Sequence, residues 1–357
     1  MAKKNNPAVS VIIPMYNAKK YIGECLTSLA NQTFQDFEVI IADDCSTDNS
    51  RSIVNRFVKQ SNSGGGFNLI KLPKNSGSPS VPRNFALNKA HGKYVYFLDA
   101  DDLLTETALE ELFNVAENFD ADVVHVEKYI VFKGEAAEVQ SFQTGEFVTE
   151  PTLETFDIGE RVTSFIQKRY VWWACNKLFR RQFLADNKIR FPEVSVFEDM
   201  ALTFECLVAA KNYVRVPFVS YMYRIRDDSL SHQGRAPIDS CRTAIKIVSA
   251  LDNFMSGKKF FRANPRYRYS ILDFFLQERL EVIAKKFFVY DDSSPDEVFN
   301  IFRDKVFSVN PQENIALTSY LFVTASVLKL FSTQQEAEIA KLNHQLSALK
   351  KNLEVEN

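Results

Sequence analysis

Short, almost wholly apolar runs alternate with amphipathic ones along the first third of the chain. "VSVII" at 9–13, "FEVIIA" at 37–42, "FNLIKL" at 67–72, "YVYFL" at 94–98 and "DVVHV" at 122–126 read as strands. Between them, 19–31, 48–59, 83–90 and 105–118 read as helices, with apolar residues on the period of a helix packed on one side. Strands apolar on both faces, separated by helices, predict a mostly parallel central sheet flanked by helices, an α/β fold. Ligands of such sheets sit beyond the carboxyl ends of the strands.

The residues at those ends are therefore the informative ones. The chain leaves successive strands through "PMYN", "DDCSTDNS", "PKNSGSPSVPRN" and "DADD". A purely structural sheet has no reason to put polar, turn-forming and charged residues on one edge four times over, so a ligand site is expected there. There is no GxGxxG after the first strand and no GxxxxGK[ST], which removes the dinucleotide and P-loop readings.

"FLDADDLL" (97–104) poses the sharpest question. Asp99, Asp101 and Asp102 repel one another and cannot stay buried unpaired. A divalent ion shared with a phosphate would resolve the conflict. Mg²⁺ and Mn²⁺ take oxygen ligands, and Mg²⁺ usually keeps one or two protein carboxylates plus substrate phosphates. Asp102 taken alone also reads as the cap of the next helix.

The stretch from "VSVIIPMYN" through "VIIADDCSTDNS" and "NSGSPSVPRN" to "YVYFLDADD" resembles the nucleotide-sugar-binding half of family 2 glycosyltransferases of the GT-A fold. Within that family it is most similar to bacterial wall teichoic acid, capsule and lipo-oligosaccharide sugar transferases. The resemblance implies that Pro14, Tyr16, Asp43 and Asp44 surround the base and ribose of a UDP-sugar. It implies that Asn75, Gly77 and Arg83 line the donor from the third loop, with Arg83 as a forked donor to phosphate or sugar. Asp99, Ala100 and Asp101 correspond to the family's DxD motif. Asp101 is then the direct ligand of Mn²⁺ or Mg²⁺, with Asp99 on ribose, sugar or a metal-bound water. Asp44, Ser46 and Asp48 also read as a turn that caps the next helix.

Residues 127–170 read as an exposed hairpin or excursion. The signal returns at "VWWACNKLFRRQFLADNKIRFPEVSVFEDMALTFECL" (171–207). A Glu-Asp pair before an apolar helical run is by itself only a favourable helix start. The resemblance makes Asp199 the general base, with Glu198 supporting it or touching the acceptor. It also brings Asn176 and Lys177 to the donor, and Arg224, Arg226 and His232 to its phosphates. Trp172 and Trp173 suggest a sugar platform, although adjacent strand residues face opposite ways and one of them belongs to the core. The QxxRW motif of processive synthases is absent, which favours transfer of single sugars.

The remaining features bound the whole. Residues 1–235 are expected to form the catalytic domain, 236–332 a helical module rich in Phe and Tyr, and 333–357 a heptad tail. Ile339, Leu342, Leu346, Leu349 and Leu353 step by 3 and 4, the seam of a coiled coil that makes a homo-oligomer or docks back on the chain. With 43 basic against 45 acidic residues, the charge balance argues against a general nucleic-acid binder. Five dispersed cysteines without a CxxC pair suggest small buried hydrophobes in a reducing compartment. No apolar run reaches spanning length, so a cytoplasmic protein, or one peripheral at the inner face of the membrane, is expected.

The expected reaction is an inverting, metal-dependent, non-processive transfer. A UDP-sugar of the GlcNAc, Gal or Glc class would donate to a hydroxyl of a bacterial cell-surface glycan or lipid-linked precursor. Two alternatives stand beside it: a catalytically silent glycan-binding scaffold on the same fold, and a nucleotidyltransferase making NDP-sugars. The second would ordinarily carry a Gly-rich basic loop where this chain has "PMYNAKKY".

Overall fold

A computed structural model describes residues 6–60, 66–141, 143–194, 197–226, 237–275 and 341. The chain divides into two compact units, Met1–Gln233 with Asn253–Tyr267, and Gly234–Asp252 with Arg268–Asn357. The first unit carries the whole of the sheet.

Its elements run β1 (Val9–Met15), α1 (Ile22–Ala30), β2 (Phe37–Asp43), α2 (Ser50–Gln60), β3 (Gly66–Lys71), α3 (Ser80–Leu87), β4 (Tyr94–Phe97), β5 (Leu103–Leu104) and α4 (Ala108–Asn118). They continue with β6 (Val123–Lys133), β7 (Ala136–Gln140), β8 (Thr152–Leu153), α5 (Ile158–Ile166), a 3-10 turn at Ala174–Asn176, β9 (Lys177–Arg180) and α6 (Arg181–Asp186). Then come α7 (Glu198–Ala209) and β10 (Tyr213–Arg224), and after them in the chain α8 (Pro237–Ser256) and α9 (Lys259–Ala263).

The strands form one sheet in the order β3-β2-β1-β4-β9-β6-β10-β5, with β7 on β6 and β8 on β10. The first four are parallel, as the alternation of strand and helix predicts. Beyond β4 the sheet is mixed, which corrects the expectation of a mostly parallel one. β9 lies antiparallel to both β4 and β6, β7 returns on β6 as a hairpin, and only β10 runs parallel to β6. The physical reason is in the connections. β7 follows β6 across a two-residue turn, where Gly134 at φ +61° supplies the left-handed conformation, and so short a link permits only antiparallel pairing.

One face of the sheet packs on α1 and α4 through an apolar core that includes Val11, Ile13, Leu26, Leu29, Leu109 and Leu112, all fully buried. On the other side Phe97 meets Phe179 and Phe191 edge to face, with ring centroids 5.8 and 4.9 Å apart. Arg83 lies over the Phe191 ring at 5.0 Å. The antiparallel pairing of β4 with β9 matches Tyr96 to Leu178, so the start of β9 stands at the edge where β4 runs out toward Asp99. That register brings the second half of the chain to the strand ends.

The helix expected over 105–118 begins only at Ala108, because Leu103 and Leu104 first pair with Met222 and Tyr221 of β10. Asp102 does not cap that helix. It is fully buried, accepting from the Tyr221 hydroxyl and, at 2.7 Å, from the Arg224 N–H. Cys25, Cys175 and Cys206 are buried free thiols.

Among the described residues of the second unit, Ile247, Leu251, Ile271 and Phe275 are buried, and Arg268 pairs with Asp252 at 2.6 Å. Most of the expected helical module, His232 and all five apolar positions of the heptad tail lie outside the described residues. No helix among the described residues is long and apolar enough to cross a membrane.

Candidate active site

Four loops meet at the carboxyl edge of β1, β2, β3 and β4. Asn17, at φ +49° just after β1, accepts at Oδ1 from the N–H groups of Thr47 at 2.8 Å and Asp48 at 3.3 Å, joining the first loop to the second. Asp44 accepts at both carboxylate oxygens from the Ser76 N–H, at 2.9 and 3.1 Å, and at 2.8 Å from the Ser76 hydroxyl. Asn75 donates to the Asp44 carbonyl at 2.7 Å, so the second and third loops are stitched together as well.

Asp43 is fully buried and accepts from the Ser46 N–H at 3.0 Å. Its Oδ2 has no hydrogen-bond partner among the described residues and lies 3.6 Å from Arg51 Nε. Pro14 is partly buried in β1, Tyr16 is 52% exposed at the rim, and a Cβ added to Gly77 would meet nothing within 4 Å. Gly77 also takes φ +68°, a conformation that costs other residues about 1 kcal/mol or more.

The centre of the site is Arg83, on α3 and 3% exposed. Its guanidinium reaches Asp99 at 2.6 Å, Glu198 at 2.7 Å and Asp199 at 3.1 Å. One cation thus binds the loop after β4 to the first turn of α7. Its terminal nitrogens are committed to carboxylates, so the forked donor expected to face the ligand organises acidic groups instead.

Three carboxylates around one cation leave an excess of negative charge. Burial, then the neighbouring Asp199 charge, push the Glu198 carboxyl up to about 7, against the pull of Arg83. Burial likewise raises Asp199, opposed by Arg83. Burial and the Asp99 charge push Asp101 up to about 6. Asp101 pairs with Arg226 at 2.5 Å, while Arg224 donates to the Asp101 carbonyl at 2.8 Å and to Glu24 at 2.8 Å. Both arginines stack over Tyr21, at 5.4 and 5.2 Å. Tyr21 and Glu24 give no signal in the sequence, since both sit in an ordinary amphipathic helix start.

Ala100 is nearly buried, as a small residue between two turned-out carboxylates should be. The side chains of Asp99 and Asp101 stay 34% and 19% exposed, and their charges repel. No cluster of three His, Cys, Asp or Glu groups among the described residues encloses an ion. Two reachable carboxylates with unfavourable mutual charge fit a hard cation that completes its shell with phosphate and water.

Asn176 and Lys177 are placed differently from the ligand-facing positions expected of them. Both are fully buried, with Asn176 donating to the Val126 carbonyl at 2.6 Å. Lys177 spends its ammonium on the carbonyls of Val171 and Trp173, each at 2.6 Å, and on Asn176 Oδ1 at 2.8 Å. Of the two tryptophans, Trp173 stacks between Tyr129 and Tyr223, with centroids 4.7 and 5.3 Å away, whereas Trp172 packs beside Phe165.

Residues 10–186 match the family model described as Glycosyl transferase family 2. This segment is a family 2 glycosyltransferase domain. The chain is 31% identical over 223 residues to a poly(ribitol-phosphate) beta-glucosyltransferase of Bacillus spizizenii, covering 62% of this chain and 32% of that protein. It is 32% identical over 210 residues to the poly(ribitol-phosphate) beta-N-acetylglucosaminyltransferase TarP of Staphylococcus aureus, covering 57% of this chain and 59% of TarP. TarS of the same organism is 33% identical over 217 residues, and the match covers 35% of its length. The chain described here therefore spans between about a third and three-fifths of these relatives. The crystal structure of TarS 1-349 in complex with UDP-GlcNAc superposes with a TM-score of 0.68 over 92% of both chains, at 24% identity, so the two share a fold.

Proposed function

We propose that this chain is an inverting, metal-dependent, non-processive glycosyltransferase. It moves a sugar of the GlcNAc, Glc or Gal class from a UDP-sugar to a hydroxyl of a bacterial cell-surface glycan or its precursor. The relatives favour a polyol-phosphate polymer as acceptor. The observation that carries the reading is the shared guanidinium of Arg83. It unites a carboxylate of the DxD loop with the Glu-Asp pair of α7 at the ligand-binding edge of the sheet.

In this reading the donor lies across the strand ends. Asp43, with a buried acceptor oxygen to spare, and the loop held by Asp44 and Asn75 receive the nucleoside. Asp101 and Asp99 would hold Mn²⁺ or Mg²⁺, which when bound offsets charge on a diphosphate. Arg224 and Arg226 stand beside them as the fixed cations nearest the diphosphate.

Asp199 lies on the α7 side, where the acceptor enters. Its carboxylate takes the proton of the acceptor hydroxyl as that oxygen bonds to the anomeric carbon. The bond from that carbon to the diphosphate breaks with its electron pair on UDP, and the configuration inverts. Positioned base catalysis of this kind contributes about 10²- to 10⁴-fold. Glu198, more deeply buried, keeps Arg83 oriented.

The test is UDP release from UDP-GlcNAc, UDP-Glc and UDP-Gal with Mn²⁺, Mg²⁺ or EDTA, comparing the parent with Asp101→Ala. Metal-dependent release from one donor, lost in the variant, supports the proposal. Absence of both UDP binding and release would leave the scaffold reading in its place.

A further inference from the structure

We propose that Lys177 is the positioning residue of this site: its buried ammonium fixes the peptide whose N–H orients Asp199 against Arg83. The inference rests on the reading of Asp199 as the base.

A fully buried lysine is costly unless its charge is satisfied. Lys177 has no carboxylate partner at ion-pair distance among the described residues, yet its three N–H bonds meet three acceptors, at 2.6, 2.6 and 2.8 Å. Two of these are the Val171 and Trp173 carbonyls. Other side chains hold neighbouring peptides of the same segment. Thr203 of α7 donates to the Trp172 carbonyl at 2.8 Å, and the Tyr96 hydroxyl of β4 donates to the Cys175 carbonyl. From Val171 to Cys175, every carbonyl but that of Ala174 is tied by a side chain.

The purpose of so rigid a segment lies in the one N–H it turns outward. Ala174 opens a 3-10 turn, where the first N–H groups have no partner within the turn. Its N–H donates to Asp199 Oδ2 at 3.3 Å, while Arg83 binds Asp199 Oδ1 at 3.1 Å. Two donors from different elements thereby set the plane of the carboxylate. Arg83 is fixed by Asp99 and Glu198, and the Ala174 N–H is fixed by Lys177.

The charges that reach Asp199 are Arg83 and Lys177, which favour its ionised form, and Asp99, which opposes it; Asp199 in turn raises Glu198 and the Cys175 thiol. Removing either the Lys177 charge or the Ala174 N–H therefore shifts Asp199 in one direction, toward the protonated form.

Two variants of the full chain test this. Lys177→Met removes the ammonium at similar length. Ala174→Pro replaces the N–H with a ring methylene that also crowds Asp199 Oδ2, at a position whose backbone proline tolerates, since Trp173 before it is extended at φ −70°, ψ 138° and Ala174 is the first residue of the turn. Calorimetry with UDP, and turnover read as UDP release from UDP-GlcNAc, UDP-Glc and UDP-Gal, separate binding from chemistry. Both variants should bind UDP within about twofold of the parent and keep the donor KM. Each should lose about ten- to a hundredfold in kcat, as expected for a misplaced catalytic group. The acid limb of the rate profile should move to higher pH.

A folded Ala174→Pro with parental kcat and an unmoved acid limb overturns the inference, and it decides alone if Lys177→Met does not fold. Asp199→Asn keeps the two readings apart. Full transfer by Asp199→Asn refutes the base itself, whereas loss there with an unaffected Ala174→Pro refutes only the positioning role.

Discussion

Arg83 and Glu198 lie 115 residues apart in the chain and 2.7 Å apart in space. The contact joins α3 to the start of α7, and the same guanidinium extends it to Asp99 and Asp199. Arg83→Met removes the cation and leaves three acidic groups facing one another. Breaking a buried pair in this way costs about 3–5 kcal/mol. Urea unfolding at pH 8 should show that loss. It should be smaller at pH 5, where Glu198, already raised to about 7 with Arg83 present, takes up its proton.

Asp199→Asn keeps the shape of the side chain and one acceptor for the Ala174 N–H, but no base. UDP binding measured by calorimetry should stay within a few-fold of the parent, while transfer falls about 10²- to 10⁴-fold. Unchanged transfer would remove Asp199 from the chemistry.

Glu205, on α7 away from this cluster, offers a test of pH linkage. Burial pushes its carboxyl up to about 8, opposed by Lys258. A raised carboxyl binds its proton more tightly when folded, so stability should fall as pH climbs from about 4.5 to about 8. Glu205→Gln should match the parent near pH 4.5 and exceed it by about 2–4 kcal/mol at pH 8. Parallel stability curves for the two proteins from pH 4.5 to 8 would contradict this.

Phe197 precedes the Glu-Asp pair at φ +67° and is 38% exposed, an unusual conformation for a bulky residue. Glycine adopts it freely, although it also gives the unfolded chain more freedom. Phe197→Gly should raise stability by about 0.5–1 kcal/mol, read as a higher Tm. A lower Tm would mean that the ring's packing outweighs the backbone strain.

How far the sequence discloses this arrangement depends on whether a signal is local. The strands at Val9, Phe37 and Tyr94 show as apolar runs, and the carboxylates at 99, 101 and 102 stand out because nothing nearby neutralises them. The partner of Arg83 does not show, since a guanidinium four residues into a helix after "SPSV" gives no hint of a Glu-Asp pair more than a hundred residues on. β9 is hidden for a similar reason. "KLFR" is four residues long, and its slot between β4 and β6 is set by tertiary pairing, not by period. Lys177 reads by type as a donor contact; only the mostly apolar company of "VWWACNKLF" hints that it is interior.

The slot that β9 fills has a further consequence for how the chain is made. β4 and β6 are both synthesised before β9, yet neither pairs with the other in the finished sheet. Until residues 177–180 emerge, the outer edge of β4 presents unpaired N–H and C=O groups on a strand of Tyr, Val, Tyr and Phe, the kind of edge that recruits foreign strands. A nascent chain stalled before Arg180 is thus the species most exposed to aggregation, and the sheet is sealed from its centre outward only when that late strand arrives.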